Sequence, residues 1–183
     1  VVVAPAREGA AVLEDGCGVG TTTLLRRERL GPDGAVTGID ISAPNLGVAR
    51  ARAHAGMASV AFVEADAATY DFQPVFDLAF SRFGVMFFDD PTSAFKNFHG
   101  SAKPGARLHF TCWQPTARNP WYTLAARTLA PYFELPPPPP VATGPFAFGD
   151  SEWVSTLLTN AGFVDIAIDG FDMTMVQGGS RGI

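Results

Sequence analysis

The chain has 183 residues, of which 47% are hydrophobic, and it carries a formal net charge of −5 at pH 7. This length suits one domain with a buried core, and the acidity argues against a nucleic-acid-binding surface. Residues 26–29 are the segment most similar to a basic stripe, and we expect them to lie at the solvent-exposed end of a helix. No apolar run approaches the ~20 residues of a membrane span. Two cysteines, Cys17 and Cys112, predict no disulfide framework and favour a reducing, cytoplasmic location.

The first predicted element is a short apolar strand that leads directly into a glycine-rich turn. Residues 11–15 read Ala-Val-Leu-Glu-Asp, and Gly16, Gly18 and Gly20 follow at alternate positions. Glycine is favoured there because a Cβ would forbid the φ angles of the turn or block the approach of a ligand. A helix predicted to begin at Thr21 presents unpaired N–H groups. The pattern predicts a bulky, nucleotide-like ligand.

The spacing of the glycines distinguishes two classes of nucleotide site. A dinucleotide-binding turn has the form G-x-G-x-x-G, in which the third glycine lets helix and strand pack closely. Here that third position holds Thr21, and the glycine stands one place earlier at Gly20. The resulting frame is G-x-G-x-G, which departs from the dinucleotide-binding pattern.

Two further strands are predicted to end in carboxylates. Residues 35–40 form a second strand that ends at Asp40, and a carboxylate there can accept both hydrogen bonds of a ribose diol. Residues 59–66 form a third strand that ends at Asp66, and residues 75–81 form a fourth that runs into Arg82. Strand and helix alternate, which predicts a parallel sheet covered on both faces.

The remaining elements follow the same alternation. Helices are predicted at 21–29, 44–55, 91–101, 120–129 and 151–160, several with a proline in the first turn and a polar cap before it. A turn at 103–105 precedes a fifth strand at 107–113, and residues 163–168 and 171–176 alternate as strands do. Residues 131–149, with five consecutive prolines at 136–140, are expected to form a stiff connector.

These segments resemble the class I S-adenosylmethionine-dependent methyltransferases over about residues 12–163. Residues 81–88 (Ser-Arg-Phe-Gly-Val-Met-Phe-Phe) and 112–115 (Cys-Trp-Gln-Pro) resemble its ubiquinone/menaquinone-methyltransferase-like branch. The resemblance implies an α/β fold: a doubly wound, mostly parallel, seven-stranded Rossmann-like sheet with helices on both faces. A single domain is expected over 1–183, and the short ends suggest a chain trimmed at both termini.

The resemblance also implies the cofactor, S-adenosyl-L-methionine, with S-adenosyl-L-homocysteine as its product. In the family the aspartate at Asp66 accepts a hydrogen bond from the adenine amino group, Ala67 offers a backbone N–H, and Ile41 covers one adenine face. Asp15 departs from the family, which usually has an apolar residue there. The cofactor-binding residues carried over from the family are Glu14, Gly16, Cys17, Gly18, Gly20, Asp40, Ile41, Asp66, Ala67 and Ser81.

The acceptor side is expected after the fourth and fifth strands, because ligands in such sheets bind outside the carboxyl ends of the strands. The candidate substrate residues are Arg82, Phe83, Trp113 and Gln114. Arg82 is equally suited to an acidic or phenolic acceptor and to pairing with a nearby aspartate. We assign no catalytic base, and no His, Cys and Asp set has the spacing of a metal site.

Three functions are compatible with these residues. The first is methyl transfer, by in-line displacement, to a small molecule of apolar or aromatic character, which the 15 phenylalanines favour. The second is an NAD(P)-dependent oxidoreductase that would use Asp40 on a ribose, but Thr21 and Asp66 argue against it. The third is a domain that binds the cofactor without turnover. The expected partner is a small-molecule methyl acceptor.

Overall fold

The structure, a computed structural model, describes residues 5–56, 59–72, 76–133 and 143–174. Strands and helices alternate through this part of the chain, with two short 3₁₀ turns at Val85–Phe87 and Thr116–Arg118. The strands are β1 Ala11–Asp15, β2 Ala35–Asp40, β3 Ala61–Glu64, β4 Phe76–Arg82 and β5 Ala102–Thr111. The helices are α1 Thr21–Arg29, α2 Ala43–Ala55, α3 Pro91–Ser101, α4 Pro120–Leu129 and α5 Ser151–Asn160.

The described strands form one five-stranded sheet in the order β3-β2-β1-β4-β5, and every pairing in it is parallel. The chain passes from β1 outward to β3 and then crosses back to β4 on the other side of β1. This crossover is the topological switch point of a doubly wound sheet, at which ligands usually bind. The fold class predicted from the sequence is therefore confirmed, with five of the seven expected strands in the described residues.

Alternate residues of the central strands are buried on opposite faces of the sheet. Leu13, Ile39 and Ala79 pack with residues of α3 and α5, in a cluster that includes Phe95, Phe98 and Val154. Val12, Val36 and Leu78 pack on the other face, with Leu30 at the end of α1. Because both faces of the sheet are covered, its strands need apolar residues at nearly every position.

Polar caps fix where several helices begin. The Asp90 carboxylate accepts a hydrogen bond from Ser93 N–H at 3.0 Å, and the Asp150 carboxylate accepts from Glu152 N–H at 2.9 Å. Ser42 caps α2, which begins one residue earlier than predicted. Because each cap satisfies a donor that the first helical turn leaves free, these starts could be predicted from the sequence. The proline run at 136–140 lies outside the described residues.

The predicted strand at 163–168 is wrong. These residues form no strand, and neither do the described residues 171–174 of the second expected strand. Asp165 has a left-handed backbone with φ of 54°, which breaks an extended run. Residues 163–171 also face β5 across a cavity of about 920 Å³ instead of hydrogen-bonding to its edge.

The structure also differs from the sequence-based expectation at residues 103–106 and at Arg26. Residues 103–106 form an irregularity within β5 and do not precede it, since the pairing register shifts between Phe76–Ala102 and Leu78–Arg107. Arg26 is not part of a solvated helix end: it is 3% exposed, and its guanidinium lies 5.3 Å from the centre of the Phe80 ring. The aromatic face and the buried Glu14 both favour a cation at that place.

Candidate functional site

The glycine turn after β1 has the left-handed backbone that the sequence predicts. Gly16, Gly18 and Gly20 have φ of 63°, 54° and 74°. A Cβ on Gly16 would lie 3.0 Å from the Cα of Gly84, and one on Gly20 would lie 3.0 Å from the ring of Phe62. A Cβ on Gly18 would meet no atom of the described residues within 4 Å. Gly16 and Gly20 are thus required by packing, whereas Gly18 borders open space.

Asp40, at the carboxyl end of β2, is fixed by two backbone donors. Its Oδ2 accepts from Gly18 N–H at 2.7 Å, and its Oδ1 accepts from Ser42 N–H at 2.8 Å. Each carboxylate oxygen retains a further lone pair. The half-buried carboxylate therefore joins the glycine turn to the start of α2 and can still accept two hydroxyl groups of a ligand.

Glu14 lies in β1, under the first turn of α1. Its side chain is 1% exposed and accepts hydrogen bonds from the hydroxyls of Thr22 and Thr23, the latter at 2.5 Å. Burial raises the pKa of Glu14 to about 7, against the lowering effect of the two hydroxyls. The carboxyl thus secures the start of α1. Its assignment to the cofactor remains a prediction.

Asp15 is the next residue along β1 and points to the opposite face of the sheet, where it is opposite Ser81 of β4. The residue is 7% exposed, and its carboxyl is hydrogen-bonded to the Ser81 side chain. Among the described residues, its Oδ2 has no hydrogen-bond partner. Burial, together with the charges of Asp40, Glu14 and Asp66, raises the pKa of Asp15 to about 7.

The adenine-side candidates lie after β2 and β3. Ile41 is 76% exposed, so its apolar side chain is free to cover a ligand. Asp66 is exposed, and its Oδ1 accepts from Ala68 N–H at 2.8 Å. Ala67 is buried, and its carbonyl accepts from the Asn97 amide. The structure thus brings these residues to the same edge of the sheet as Asp40.

Cys17 is buried within the turn, and its thiol is unreactive. Burial raises the pKa of its thiol to about 12, so the nucleophilic thiolate is negligible at neutral pH. Its backbone N–H donates to the Ile39 carbonyl at 3.1 Å. Cys17 therefore serves the shape of the turn.

Aromatic side chains follow the carboxyl ends of β4 and β5. Phe83 has φ of 63°, a left-handed conformation that is unfavourable for a bulky residue, and its ring stacks on Trp113 with centroids 4.7 Å apart. The ring centroids of Trp121 and Trp113 are 5.0 Å apart, and those of Tyr122 and Phe146 are 4.7 Å apart. We call these five residues (Phe83, Trp113, Trp121, Tyr122 and Phe146) the aromatic wall.

The other acceptor candidates are placed differently. The Gln114 amide donates to the carbonyl of Phe171 at 3.0 Å and to Asp172 at 3.1 Å, so it holds residues 171–172. Arg82 is exposed at the end of β4 and lowers the pKa of Glu14 through its charge. The structure brings Arg82, Phe83 and Trp113 to the expected edge of the sheet, while the side chain of Gln114 already has partners.

Three residues that organise this site were not expected in these roles from the sequence. Thr22 and Thr23 partner Glu14, and Asn119 is 6% exposed and supports the wall. The Asn119 amide donates to the carbonyls of Gln114 and Pro115, and its Oδ1 accepts from Trp121 Nε1 at 3.1 Å. Its place just before Pro120 suggests that Asn119 caps a helix. Its side chain instead links the loop after β5 to α4 through these three hydrogen bonds.

Two negative findings concern the described residues. They hold no cluster of three His, Cys, Asp or Glu side chains that could bind a metal ion. Every helix in that same part of the chain is too short or too polar to cross a lipid bilayer.

The geometry fits a nucleoside that extends along the carboxyl ends of the strands. Gly18 borders open space, Asp40 offers two fixed oxygens, and Ile41 offers an exposed apolar surface. A parallel, doubly wound sheet with such a turn at its switch point defines a nucleotide-binding α/β domain. Residues 12–105, just over half of the chain, match the family model described as "Methyltransferase domain", and the chain belongs to that family.

Curated relatives are similar over most of the chain. It is 27% identical to a demethylmenaquinone methyltransferase of Staphylococcus aureus over 179 residues, which is 90% of this chain and 72% of that protein. It is 27% identical to phosphoethanolamine N-methyltransferase 1 of Triticum aestivum, over 89% of this chain and 30% of that protein. It is 32% identical to aklanonic acid methyltransferase of a Streptomyces species, over 56% and 48%. The chain thus spans less than half the length of two of these relatives.

Solved structures share the fold. A SAM-dependent methyltransferase from Aquifex aeolicus superposes with a TM-score of 0.63 at 20% identity, covering 85% of this chain and 73% of that one. A Haemonchus contortus phosphoethanolamine N-methyltransferase, solved with S-adenosylhomocysteine, gives 0.62 at 22% identity over 89% and 35%. A [4+2]-cyclase gives 0.52 at 26% identity over 56% and 38%.

Proposed function

We propose that the protein is an S-adenosylmethionine-dependent methyltransferase whose acceptor is a small apolar or aromatic molecule. Family membership supports methyl transfer, and the stacking of Phe83 on Trp113 beside the cofactor edge carries the choice of acceptor.

The cofactor lies along the carboxyl edge of the sheet in the order of the strands. Asp66 and Ala67 after β3 receive the adenine, whose exposed face Ile41 covers. Asp40 after β2 accepts the ribose hydroxyls, and its carboxylate is already oriented by Gly18 and Ser42. The open space at Gly18 admits the remainder of the ligand.

Demethylmenaquinone methyltransferase and aklanonic acid methyltransferase, two of the relatives, are named for apolar or aromatic substrates, in agreement with the aromatic wall.

The wall selects the acceptor through its shape and chemistry. The rings of Phe83, Trp113 and Trp121 are stacked or tilted, with neighbouring centroids 4.7 and 5.0 Å apart, and present a flat apolar surface. A planar molecule that binds against this surface loses little orientational freedom. The strained backbone of Phe83 is maintained by this packing, as is usual for residues at binding sites. The hydrogen bond from Trp121 Nε1 to Asn119 Oδ1 orients the Trp121 ring before a ligand arrives.

The cofactor, when bound, supplies a methyl group already activated on a sulfonium, so the chain mainly has to position the acceptor behind it. Asp40 and the glycine turn hold one reactant, and Phe83 and Trp113 hold the other. In this scheme the proton of the acceptor passes to solvent.

Transfer of a labelled methyl group from S-adenosylmethionine tests the proposal. The protein is incubated with matched panels of planar aromatic acceptors, such as quinols and phenols, and of polar amines, such as phosphoethanolamine. We expect label on the aromatic panel. Label confined to the amines would refute the acceptor class, and cofactor binding without transfer to any acceptor would indicate a domain without turnover.

A further inference from the structure

We infer that Asp15 is a specificity-determining residue of the cofactor site, whose buried charge favours the positively charged methyl donor over the uncharged sulfur of the product. The inference deepens the proposed function and rests on its cofactor. It concerns the position at which this chain has a carboxylate and the resembled family usually has an apolar residue.

The burial of Asp15 is unusual for a charged residue. It is 7% exposed, and its Oδ2 has no accessible surface and no hydrogen-bond partner among the described residues. An apolar side chain would occupy this place without the cost of removing a carboxylate from water. A polar group in such a position is expected to be compensated in another state of the protein, such as a complex with a cation.

The sheet order places the charged end of the ligand beside Asp15. Adenine after β3 and ribose after β2 leave the sulfonium end over the next strands in the order, β1 and β4. Asp15 ends β1, and its partner in the register, Ser81, lies on β4. The acid therefore lies beneath the part of the ligand where donor and product differ by one positive charge.

Burial and the neighbouring charges set the pH range in which Asp15 carries this charge. Burial raises the pKa of Asp15 to about 7, with the charges of Asp40, Glu14 and Asp66 acting in the same direction and the Ser81 hydrogen bond acting against them. Below that pH the carboxyl is neutral, and above it the carboxylate attracts a cation through a medium with little water. Preference for the donor is therefore expected to increase as the pH rises through about 7.

The effect acts through space and does not need direct contact. The carboxyl is hydrogen-bonded to Ser81, which also accepts from Gly84 N–H at 3.2 Å, so its position is fixed. Glu14 titrates in the same range but faces α1, where two hydroxyls hold it. We expect a smaller contribution from Glu14, and its own variant measures that contribution.

Calorimetric titration of the full chain with S-adenosylmethionine and S-adenosylhomocysteine, at about pH 6 and about pH 8.5, tests the inference. The quantity compared is the ratio of the two dissociation constants, product over donor. In the parent protein this ratio should rise with pH. Asp15→Asn keeps the size of the side chain and Asp15→Leu introduces an apolar one, and both should lower the ratio at the higher pH on the order of tenfold.

Two control variants separate the causes. Asp33→Asn removes one charge from an exposed loop at the opposite end of the sheet and should leave the ratio unchanged. Glu14→Gln should change it less than Asp15→Asn does. A ratio equal to the parent's in both folded Asp15 variants, or a larger effect of Glu14→Gln, would overturn the inference. Failure of the folded parent to bind either ligand would instead refute the cofactor, and this inference with it.

Discussion

The carboxylate of Asp40 accepts a hydrogen bond from the backbone N–H of Gly18, with 2.7 Å between oxygen and nitrogen. The two residues come from different sequence motifs, 22 positions apart. Their contact orients the carboxylate and also fixes the middle of the glycine turn, with φ of 54° at Gly18. The carboxylate that we propose for the ribose and the backbone of the glycine turn are thus coupled through one hydrogen bond.

Gly18→Ala is expected to weaken cofactor binding more than it weakens the fold. The left-handed φ costs an alanine about 1–2 kcal/mol, and no described atom lies within 4 Å of the added Cβ. The methyl group would, however, project into the open space assigned to the ligand. We expect at least a roughly tenfold loss of affinity in calorimetry. Gly105→Ala is the matched control, because it has φ of 77° and equal open space at the other end of the sheet.

Removal of the Glu14 partners is expected to destabilise the protein. Thr22→Val and Thr23→Val each leave a buried carboxyl oxygen with one donor fewer, at a cost of about 1–3 kcal/mol in the free energy of unfolding. Urea denaturation measures the loss. Thr156→Val removes a similar hydroxyl from an exposed helix face and should change stability by less than about 0.5 kcal/mol. Equal effects of buried and exposed variants would contradict this role of Glu14.

The stability of the unliganded protein is expected to depend on pH in two opposite ways. Between about pH 4 and 7, unfolded chains ionise Glu14 and Asp15 near 4.5 and 3.8, whereas the folded protein keeps both protonated up to about 7. These two groups therefore reduce stability as the pH rises through that window. Urea denaturation of the parent and of a Glu14→Gln, Asp15→Asn double variant should show a smaller decline in the variant.

Below about pH 4 the sign reverses because of Asp77. A hydrogen bond from Ala11 N–H and an ion pair with Lys103 hold its pKa at about 2, so its stabilising contribution is present above 3.8 and is lost as the pH falls through about 2. Asp77→Asn should flatten the stability curve in this range. An unchanged curve in that variant would show that other groups dominate acid unfolding.

Trp113→Ala is expected to impair the acceptor and spare the cofactor. Loss of the ring that stacks on Phe83 removes flat apolar surface from the aromatic wall. The Michaelis constant for an aromatic acceptor should rise by roughly tenfold or more, with an unchanged dissociation constant for S-adenosylhomocysteine. Trp153→Ala, on α5, removes a tryptophan outside the wall and should leave the acceptor constant as it was. A parallel rise in both variants would mean general loosening of the fold.

Much of the fold could be predicted because local signals agree with the tertiary structure. The α3 boundaries match because Asp90 caps its start and Pro91 fits its first turn. Residues 163–168 show the limit of such reasoning: their alternation suits a strand, but a strand also needs a partner edge. Here Asp165 turns the chain and a cavity separates the segment from β5.

The candidate site divides in the same way. Asp40 and the glycines could be predicted because each occupies a fixed distance from a strand end. The partners of Glu14 and the place of Trp121 could not, since a threonine or tryptophan at a helix start has many uses. Their roles depend on which face of α1 or α4 meets the sheet, and that face is decided by packing between distant segments.

Calorimetric titration with S-adenosylhomocysteine, with NADH as the competing ligand, tests the central claim most directly. The account predicts micromolar binding of S-adenosylhomocysteine, which Asp40→Ala abolishes and Asp33→Asn leaves intact, and no competition by NADH. Binding of NADH, or of S-adenosylhomocysteine with equal affinity to the Asp40→Ala variant, would contradict the assignment of this edge of the sheet to the methyl donor.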